Sequence, residues 1–312
     1  MTKLDTYKRL SHYDPTHTTA LRDAFAKATT RRFVELKRMI KISIVEQDCF
    51  GLKKLTTHQM SPTGQGAFAF TTNPQKLSDF IKWLEEQIDK GILTVGDLAK
   101  VGSGVDGSWL NKYILDSYKR GLVRAKDELR KAGYPLPNED VFGSIESMLS
   151  MPISVNTLAL LYTRVFSELK GITAQMSTQI SKILAQGLAD GDGPALLARK
   201  LVATIDGTGI GSLAITDTLG RFIPAQRRAI LLARTEIIRA HHLATINMYR
   251  EWGVEGVIVE GEWKTAGDDR VCEKCAALEG KTFSLDEIEK MIPYHPGCRC
   301  IALPKIKEIK KV

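Results

Sequence analysis

Long apolar runs are missing from this sequence of 312 residues, and none reaches the roughly 18–20 residues that a helix needs to cross a bilayer. The first thirteen residues also lack the apolar stretch of a secretory signal. We therefore expect synthesis in a cytosol and no membrane partner.

Cysteine is scarce, and its distribution along the chain is uneven. Cys49 stands alone, whereas the other four thiols crowd the C-terminal part of the sequence, at Cys272, Cys275, Cys298 and Cys300. Such clustering indicates a local site and not a disulfide framework spread through a secreted domain.

Basic residues outnumber acidic ones, with a formal net charge of +8. An excess of this size favours a polyanionic partner, such as nucleic acid, an acidic membrane surface or an acidic protein groove. Two predicted helices carry the candidate contacts to DNA phosphates, which would be independent of sequence: Arg31 and Arg32 on one, Lys119, Arg120 and Arg124 on the other. The alternative is that both clusters are ordinary solvated helix faces.

Helical periodicity dominates the pattern of apolar residues. It predicts helices over Thr18–Ile44, from Asn73 to Gly91, and over Trp109–Ala132, Thr157–Leu188, Ala195–Thr204 and Pro224–Trp252. Short β-like runs follow, at Gly256–Trp263 and Lys281–Phe283. We predict a mainly α fold with a small α+β C-terminal module, that is, a helical N-terminal body and a C-terminal domain clamped by cysteine and histidine.

Three regions follow from these patterns: a helical docking region over 1–150, a long helix and connector over 151–224, and the C-terminal module over 225–312. The segment 138–152 could be a linker or a short helix. The heptad-like stripe of the Thr157–Leu188 helix favours a core helix in a bundle over an intermolecular coiled coil. The run Gly207, Gly209, Gly211 lacks the flanking strand and Lys-Ser/Thr of a phosphate cradle, which favours a flexible loop.

The strongest chemical signal is Cys272-x-x-Cys275 followed by His295-Pro-Gly-Cys298-Arg-Cys300. Two thiols at this spacing can bind one metal ion from a single turn, and a second pair of donors can return from the later segment. Four of these five donors suit a structural, tetrahedral Zn²⁺. Disulfides among the same cysteines and reduced thiols packed in a small core are the alternatives. A nucleophilic cysteine would need His295 aimed at one thiol, and four clustered thiols favour a scaffold.

Arg234-Thr-Glu236 lies inside the last long helix, ahead of His241 and His242. These residues could form an acid/base cluster. The structural alternative is that Arg234 pairs with a carboxylate such as Glu236 or Asp268 and anchors the helix to the terminal module. A catalytic set needs a cleft on which to converge, so the structural interpretation is favoured.

The ordered set of motifs in the C-terminal third resembles the phage Mu protein F-like, or phage head morphogenesis, family. The resemblance covers about residues 160–305 and is carried by these residues: Arg234, Glu236, Ala244, Tyr249, Gly253, Gly256, Trp263-Lys-Thr-Ala266, Asp268, Cys272, Cys275, Leu278-Glu-Gly280, Phe283 and His295-Pro-Gly-Cys-Arg-Cys300. It implies that the cysteines and the histidine shape the module, with Arg234, Glu236, Trp263 and Asp268 as its structural motif.

The resemblance also implies a minor capsid protein of a tailed bacteriophage, made late with the other structural proteins. Its expected location is the virion head near the portal. Expected partners are the portal protein, major capsid or scaffold proteins, and packaged double-stranded DNA bound without sequence preference. Related domains also occur fused to toxin domains, but no toxin domain is expected after Lys305.

We expect attachment and assistance with head morphogenesis, DNA packaging and ejection, and no enzymatic activity. The alternatives are a zinc-dependent nucleic-acid-binding protein and an enzyme that uses Glu236, Asp268 or His295.

Overall fold

The structure is a computed structural model that describes residues 14–52, 73–94, 108–131, 142–207, 223–253 and 257–309. Three of the predicted segments lie wholly or partly outside these residues: the loop around Pro62, the glycine run from Gly209 on, and the start of the β-like run at Gly256. None of the helices in the described ranges is long and apolar enough to cross a membrane.

The chain forms two compact units that do not follow its order. The first unit comprises Met1–Ala26, Gly96–Val165 and Leu231–Val312, and the second comprises Lys27–Val95 and Phe166–Ile230. The three regions predicted from the sequence, 1–150, 151–224 and 225–312, are consecutive segments of the chain. This division remains a prediction.

The helices occupy the positions that periodicity and turn residues predict. In chain order they are α1 (Thr19–Lys41, continued by a π-helical turn at Ile42–Glu46), α2 (Asn73–Gly91), α3 (Trp109–Lys131), α4 (Ile145–Ser150), α5 (Pro152–Ala189), α6 (Pro194–Asp206) and α7 (Ala225–Gly253). Helix α4 resolves the ambiguity at 138–152 in favour of a short helix, because the Ser144 side chain accepts a hydrogen bond from the backbone N–H of Ser147 and caps it.

The C-terminal module alternates strands with short helices. Its elements are β1 (Val257–Lys264), α8 (Glu273–Ala276), β2 (Thr282–Phe283), α9 (Leu285–Met291) and β3 (Ile301–Ile309). The strands form an antiparallel sheet in the order β2-β1-β3. The fold is therefore mainly α with a small α+β module at the C-terminal end, as the sequence predicts.

Close packing of α3 on α7 builds the core of the first unit. The Ser117 hydroxyl donates a hydrogen bond to the carbonyl of Ile237 at 2.6 Å, and the Asn247 amide donates one to the Tyr118 hydroxyl at 3.0 Å. Gly121 lies where a Cβ would come within 2.3 Å of the His241 carbonyl oxygen. The absence of a side chain at this position lets the two helices approach each other at backbone distance.

The second unit has a core of its own. Phe50 and Phe80 are both buried, with ring centroids 5.2 Å apart. Lys37 forms an ion pair with Asp206 at 2.7 Å, which ties α1 to the C-terminal end of α6. Cys49 is buried in this unit.

The long helix α5 extends the predicted helix at its N-terminal end, where Pro152 occupies the first turn. Most positions of the heptad-like stripe are buried, from Leu158 to Met176. Beyond Met176 the buried positions are Ile180 and Leu184, and Ile183 is only half-buried. The stripe shifts because a straight α-helix has 3.6 residues per turn and drifts away from a strict seven-residue repeat.

Candidate metal centre

The first pair of candidate ligands lies in one tight turn. Cys272 is the N-cap residue of α8, and its Sγ accepts a hydrogen bond from the backbone N–H of Cys275 at 3.4 Å. The carbonyl of Cys272 accepts from the N–H of Ala276 at 2.9 Å. This local geometry places both sulfur atoms on the same side of the turn.

The second pair lies in a turn of the same spacing. The backbone N–H of Cys298 donates to the carbonyl of His295 at 3.0 Å, and Gly297 adopts a left-handed conformation with φ of +76°. The N–H of Gly297 donates to the Thr235 hydroxyl at 3.1 Å, which fixes this turn against α7. Thr235 is the middle residue of the Arg234-Thr-Glu236 motif, and no pattern in the sequence indicates this role.

All five predicted donors converge at one place. The donor atoms of Cys272, Cys275 and His295 lie within 4.8 Å of one another, and so do those of Cys275, Cys298 and Cys300. Cys275 belongs to both groups. Cys275, Cys298 and Cys300 are buried, whereas Cys272 and His295 are half-buried. The structure thus brings together donors that are separated by a strand and a helix in the sequence.

Hydrogen bonds divide the thiols of this cluster into two kinds. A hydrogen bond from the Cys300 thiol, aided by backbone N–H groups, lowers the pKa of Cys298 to about 5. The same contact raises the pKa of Cys300, so the proton stays on Cys300 and the negative charge is favoured on Cys298. The backbone N–H of Cys275 lowers the pKa of Cys272. Burial raises the pKa of Cys275. All four cysteines are free thiols in the structure.

The Arg234-Thr-Glu236 motif forms ion pairs, but with partners other than those predicted. Arg234 contacts Asp23 at 3.3 Å and not Glu236 or Asp268. The predicted pairing with Glu236 is wrong because residues two apart on a helix point to different sides. Glu236 is buried and accepts from Arg164 at 3.3 Å and from Arg239 at 3.2 Å.

Asp268 and Trp263 each make close contacts within the module. Asp268 is held by Arg299 through two hydrogen bonds of 2.5 and 2.6 Å and by Arg270 at 3.1 Å. The hydrogen bonds from Arg299 hold the pKa of Asp268 well below its ordinary value. Trp263 is fully buried and packs edge-to-face on Tyr294, with ring centroids 5.9 Å apart.

Other residues of α7 perform the anchoring predicted for Arg234. Arg250 forms ion pairs with Asp286 and Glu289 of α9 at 2.5 and 2.7 Å. His242 is buried with its Nε2 2.9 Å from the carbonyl oxygen of Ile288. A basic residue in the last turn of a helix is a weak signal, and nothing in the sequence singled out Arg250.

Three of the five candidate DNA contacts share one cavity of the first unit. Lys119, Arg120 and Arg124 line a cavity of about 900 Å³ between α3, residues 15–17, the segment 264–267 and the start of β3. Arg31 and Arg32 belong to the second unit, and the Nη1 of Arg32 donates to the carbonyl of Ala28 in its own helix at 3.4 Å.

Comparison with known proteins gives one match. The model of the family described as Phage Mu protein F like protein matches residues 178–303. No curated protein and no solved structure was found to be similar to the chain. The matched range contains α7, the candidate metal centre and the sheet up to Leu303. The family points to a protein of the phage head. Residues 178–303 thus match the model of the family that the sequence motifs also resemble, the phage Mu protein F-like family.

Proposed function

We propose that the protein is a minor head protein of a tailed bacteriophage that binds the portal vertex and assists head morphogenesis, DNA packaging and ejection. The observation that carries the proposal is the family match over residues 178–303. In this proposal the protein resides in the virion, near the portal, and acts by attachment.

The contacts of the acidic residues support attachment in preference to catalysis. Glu236 is engaged by two arginines, and Asp268 by Arg299 and Arg270. His295 has its Nε2 3.3 Å from the sulfur atoms of both Cys272 and Cys275. Each residue on which an enzyme could rely thus already has a structural contact of its own. An activity lost in Glu236→Gln while the fold persists would contradict this part of the proposal.

The cavity beside α3 is the surface we propose for the portal. Five Lys and Arg side chains line it against three carboxylates, and apolar groups such as Val123, Ile301 and Leu303 add to the lining. Arg124 pairs with Glu128 at 3.7 Å, but its Nη1 is buried without a hydrogen-bond partner among the described residues.

Cations together with apolar side chains in a concave site favour an acidic protein segment over a DNA duplex. A duplex presents its phosphates on a broad convex surface and binds chiefly through charge. We therefore propose that an acidic segment of the portal protein occupies this cavity, with carboxylates at Lys119 and Arg124. Packaged DNA would then contact the basic surface elsewhere, without sequence preference.

The test is co-purification of the protein with the portal protein of the same phage. The double variant Lys119→Glu/Lys131→Glu reverses charge in the cavity, and Arg31→Glu/Lys41→Glu makes the same change in net charge in the second unit. We expect at least a tenfold weaker portal interaction for the first variant and little change for the second. Equal losses in the two variants would mean that the interaction depends only on net charge. No loss in either variant would mean that the portal protein does not bind in this cavity.

DNA binding by the same proteins distinguishes the rival role. A zinc-dependent nucleic-acid-binding protein should lose DNA affinity on chelation, and its affinity should fall steeply between 50 and 200 mM salt. If the cavity variant abolishes DNA binding and leaves the portal interaction intact, the occupant is the duplex, and the portal proposal fails.

A further inference from the structure

The five donors at the C-terminal end can be divided into ligands and a supporting residue. We propose that Cys272, Cys275, His295 and Cys298 bind one Zn²⁺ as a closed tetrahedral site, and that Cys300 is a positioning residue whose thiol donates a hydrogen bond to the Cys298 sulfur. This inference does not depend on the role in the phage head.

The tautomer of His295 is the first argument. Its Nδ1 is 3.0 Å from the carbonyl oxygen of Pro296, which can only accept, so Nδ1 carries the hydrogen. The neutral ring then presents the lone pair of Nε2 towards the sulfur atoms. A metal-bound histidine has this arrangement, with the second nitrogen donating to a carbonyl or carboxylate that fixes the ring.

The distances provide the second argument. The Nε2 of His295 lies 3.3 Å from the sulfur atoms of both Cys272 and Cys275. Zinc bonds of about 2.3 Å to sulfur and 2.0–2.1 Å to nitrogen, at tetrahedral angles, separate such donors by about 3.5 Å. A single lone pair can accept only one good hydrogen bond from a thiol, so two equal contacts fit a shared ion better than a hydrogen bond.

The choice of the fourth ligand follows from the two turns. Cys272-x-x-Cys275 and His295-x-x-Cys298 have the same spacing. In each turn the backbone N–H of the last residue donates a hydrogen bond to the first residue, to the Cys272 sulfur in one turn and to the His295 carbonyl in the other. Such paired turns supply two donors each to a structural zinc site. The sulfur atoms of Cys298 and Cys300 lie within 4.8 Å of each other and of the Cys275 sulfur, so distance does not separate them. Cys298 closes the turn that His295 begins, whereas Cys300 directly precedes β3, outside the turn.

Burial indicates a structural and not a catalytic ion. Cys275 and Cys298 are buried, and four protein ligands leave no open position for water or substrate. The two turns belong to segments that connect β1 to α9 and α9 to β3, so a bound ion would link the parts of the module that a small sheet alone holds weakly.

The proposal is tested by measuring zinc per chain on protein purified under reducing conditions, together with Co²⁺ substitution. We expect about one zinc per chain in the parent protein, in Cys49→Ser and in Cys300→Ser, whose hydroxyl can still donate. Cys300→Ala should weaken zinc binding by about 10–100-fold, as the loss of an outer hydrogen bond does. Cys298→Ala should bind no zinc at equimolar metal.

Misfolding of a ligand variant is controlled by His295→Cys, which keeps four donors. It should retain one metal ion, and its Co²⁺ spectrum should shift from that of a three-sulfur, one-nitrogen site to that of a four-sulfur site. A parent protein without zinc and with five reactive thiols would overturn the site. Zinc that persists in Cys298→Ala and is lost in Cys300→Ser would overturn the division of roles.

Discussion

His242 lies on α7 and is buried where this helix contacts α9. Burial lowers its pKa to about 4, and the charges of Arg239 and Arg250 act in the same direction. The hydrogen bond with Ile288 and the charge of Glu289 oppose this shift. The ring is therefore neutral in the folded protein at pH 7, with the hydrogen on the Nε2 that faces the Ile288 carbonyl.

This depressed pKa makes stability depend on pH in a defined window. In the unfolded chain the histidine titrates near pH 6.5, so between about pH 6.5 and 4 the unfolded state binds a proton that the folded state does not. As the pH is lowered through this window, the free energy of unfolding should fall by about 1.4 kcal/mol per pH unit because of His242. Above about pH 6.5 this residue should have no effect on the pH dependence.

The variant His242→Gln keeps a donor for the Ile288 carbonyl but cannot titrate. Between pH 7 and pH 5 we expect it to lose about 2 kcal/mol less of its free energy of unfolding than the parent protein does. Urea unfolding at the two pH values measures this difference, and the comparison cancels other groups that titrate in the same range. Identical pH dependence of the two proteins would contradict the burial of a neutral ring.

Glu236 and Arg234 belong to the same motif but contribute to stability to different extents. The Glu236 side chain is 2% exposed and accepts from two arginines, whereas the pair of Arg234 with Asp23 is about half exposed on both sides. We expect Glu236→Ala to lower the free energy of unfolding by roughly 2–3 kcal/mol. Arg234→Ala should lower it by less than about 1 kcal/mol.

Chemical denaturation of both variants at the same salt concentration measures this contrast. The two substitutions are matched, because each removes one charge from neighbouring positions of α7. If Arg234→Ala were the more damaging change, the anchoring role assigned to Glu236 would be wrong.

At the scale of elements, the approach of α3 to α7 depends on one missing side chain. A Cβ at Gly121 would lie 2.3 Å from the His241 carbonyl oxygen and 2.7 Å from the Ala244 Cβ. Backbone atoms cannot move aside as the end of a flexible side chain can, so the two helices would have to separate.

We expect Gly121→Ala to lower the free energy of unfolding by roughly 1–3 kcal/mol, although alanine is the better helix former. Gly171→Ala in α5 is the matched control, because a Cβ there meets no described atom within 4 Å. The control should stabilise the protein by roughly 0.5–1 kcal/mol. Thermal or urea unfolding compares the two, and a stabilising Gly121→Ala would contradict the close approach.

Elements with a repeating pattern were predictable from the sequence, and elements fixed by their neighbours were not. Periodicity and flanking Gly or Pro predicted α2, α3 and α7 to within a residue or two of their observed ends. Strand β3 was missed because Pro304 argues against a strand. The structure accommodates the proline because β3 is an edge strand, hydrogen-bonded only to β1 in the described sheet.

The candidate site shows the same division. Spacing alone predicted that the five donors of the C-terminal segment would meet, because short turns fix local geometry. The partners of charged residues were not predictable: Arg234 pairs with Asp23, which is 211 residues away in the sequence. The sequence also left the choice between Cys298 and Cys300 open, because only the folded structure shows that His295 and Cys298 close one turn and that Cys300 lies outside it.

At the scale of the whole molecule, the five proposed metal-site residues lie in only one of the two compact units. The Cys272 and His295 turns belong to the first unit, and α2 belongs to the second, which has its own buried aromatic core. If the ion stabilises the module alone, its removal should open local structure and leave the second unit protected, since proteins open in cooperative parts.

Hydrogen exchange with and without a chelator, under reducing conditions, tests this expectation. Amides of residues 257–303 should exchange at least tenfold faster after the metal is removed, whereas those of α2 should keep their rates. Cys298→Ala, which lacks a ligand, should resemble the chelated protein and show no further change with chelator. Faster exchange throughout both units would mean that the ion stabilises the entire fold, and unchanged exchange in 257–303 would mean that the module holds together without it.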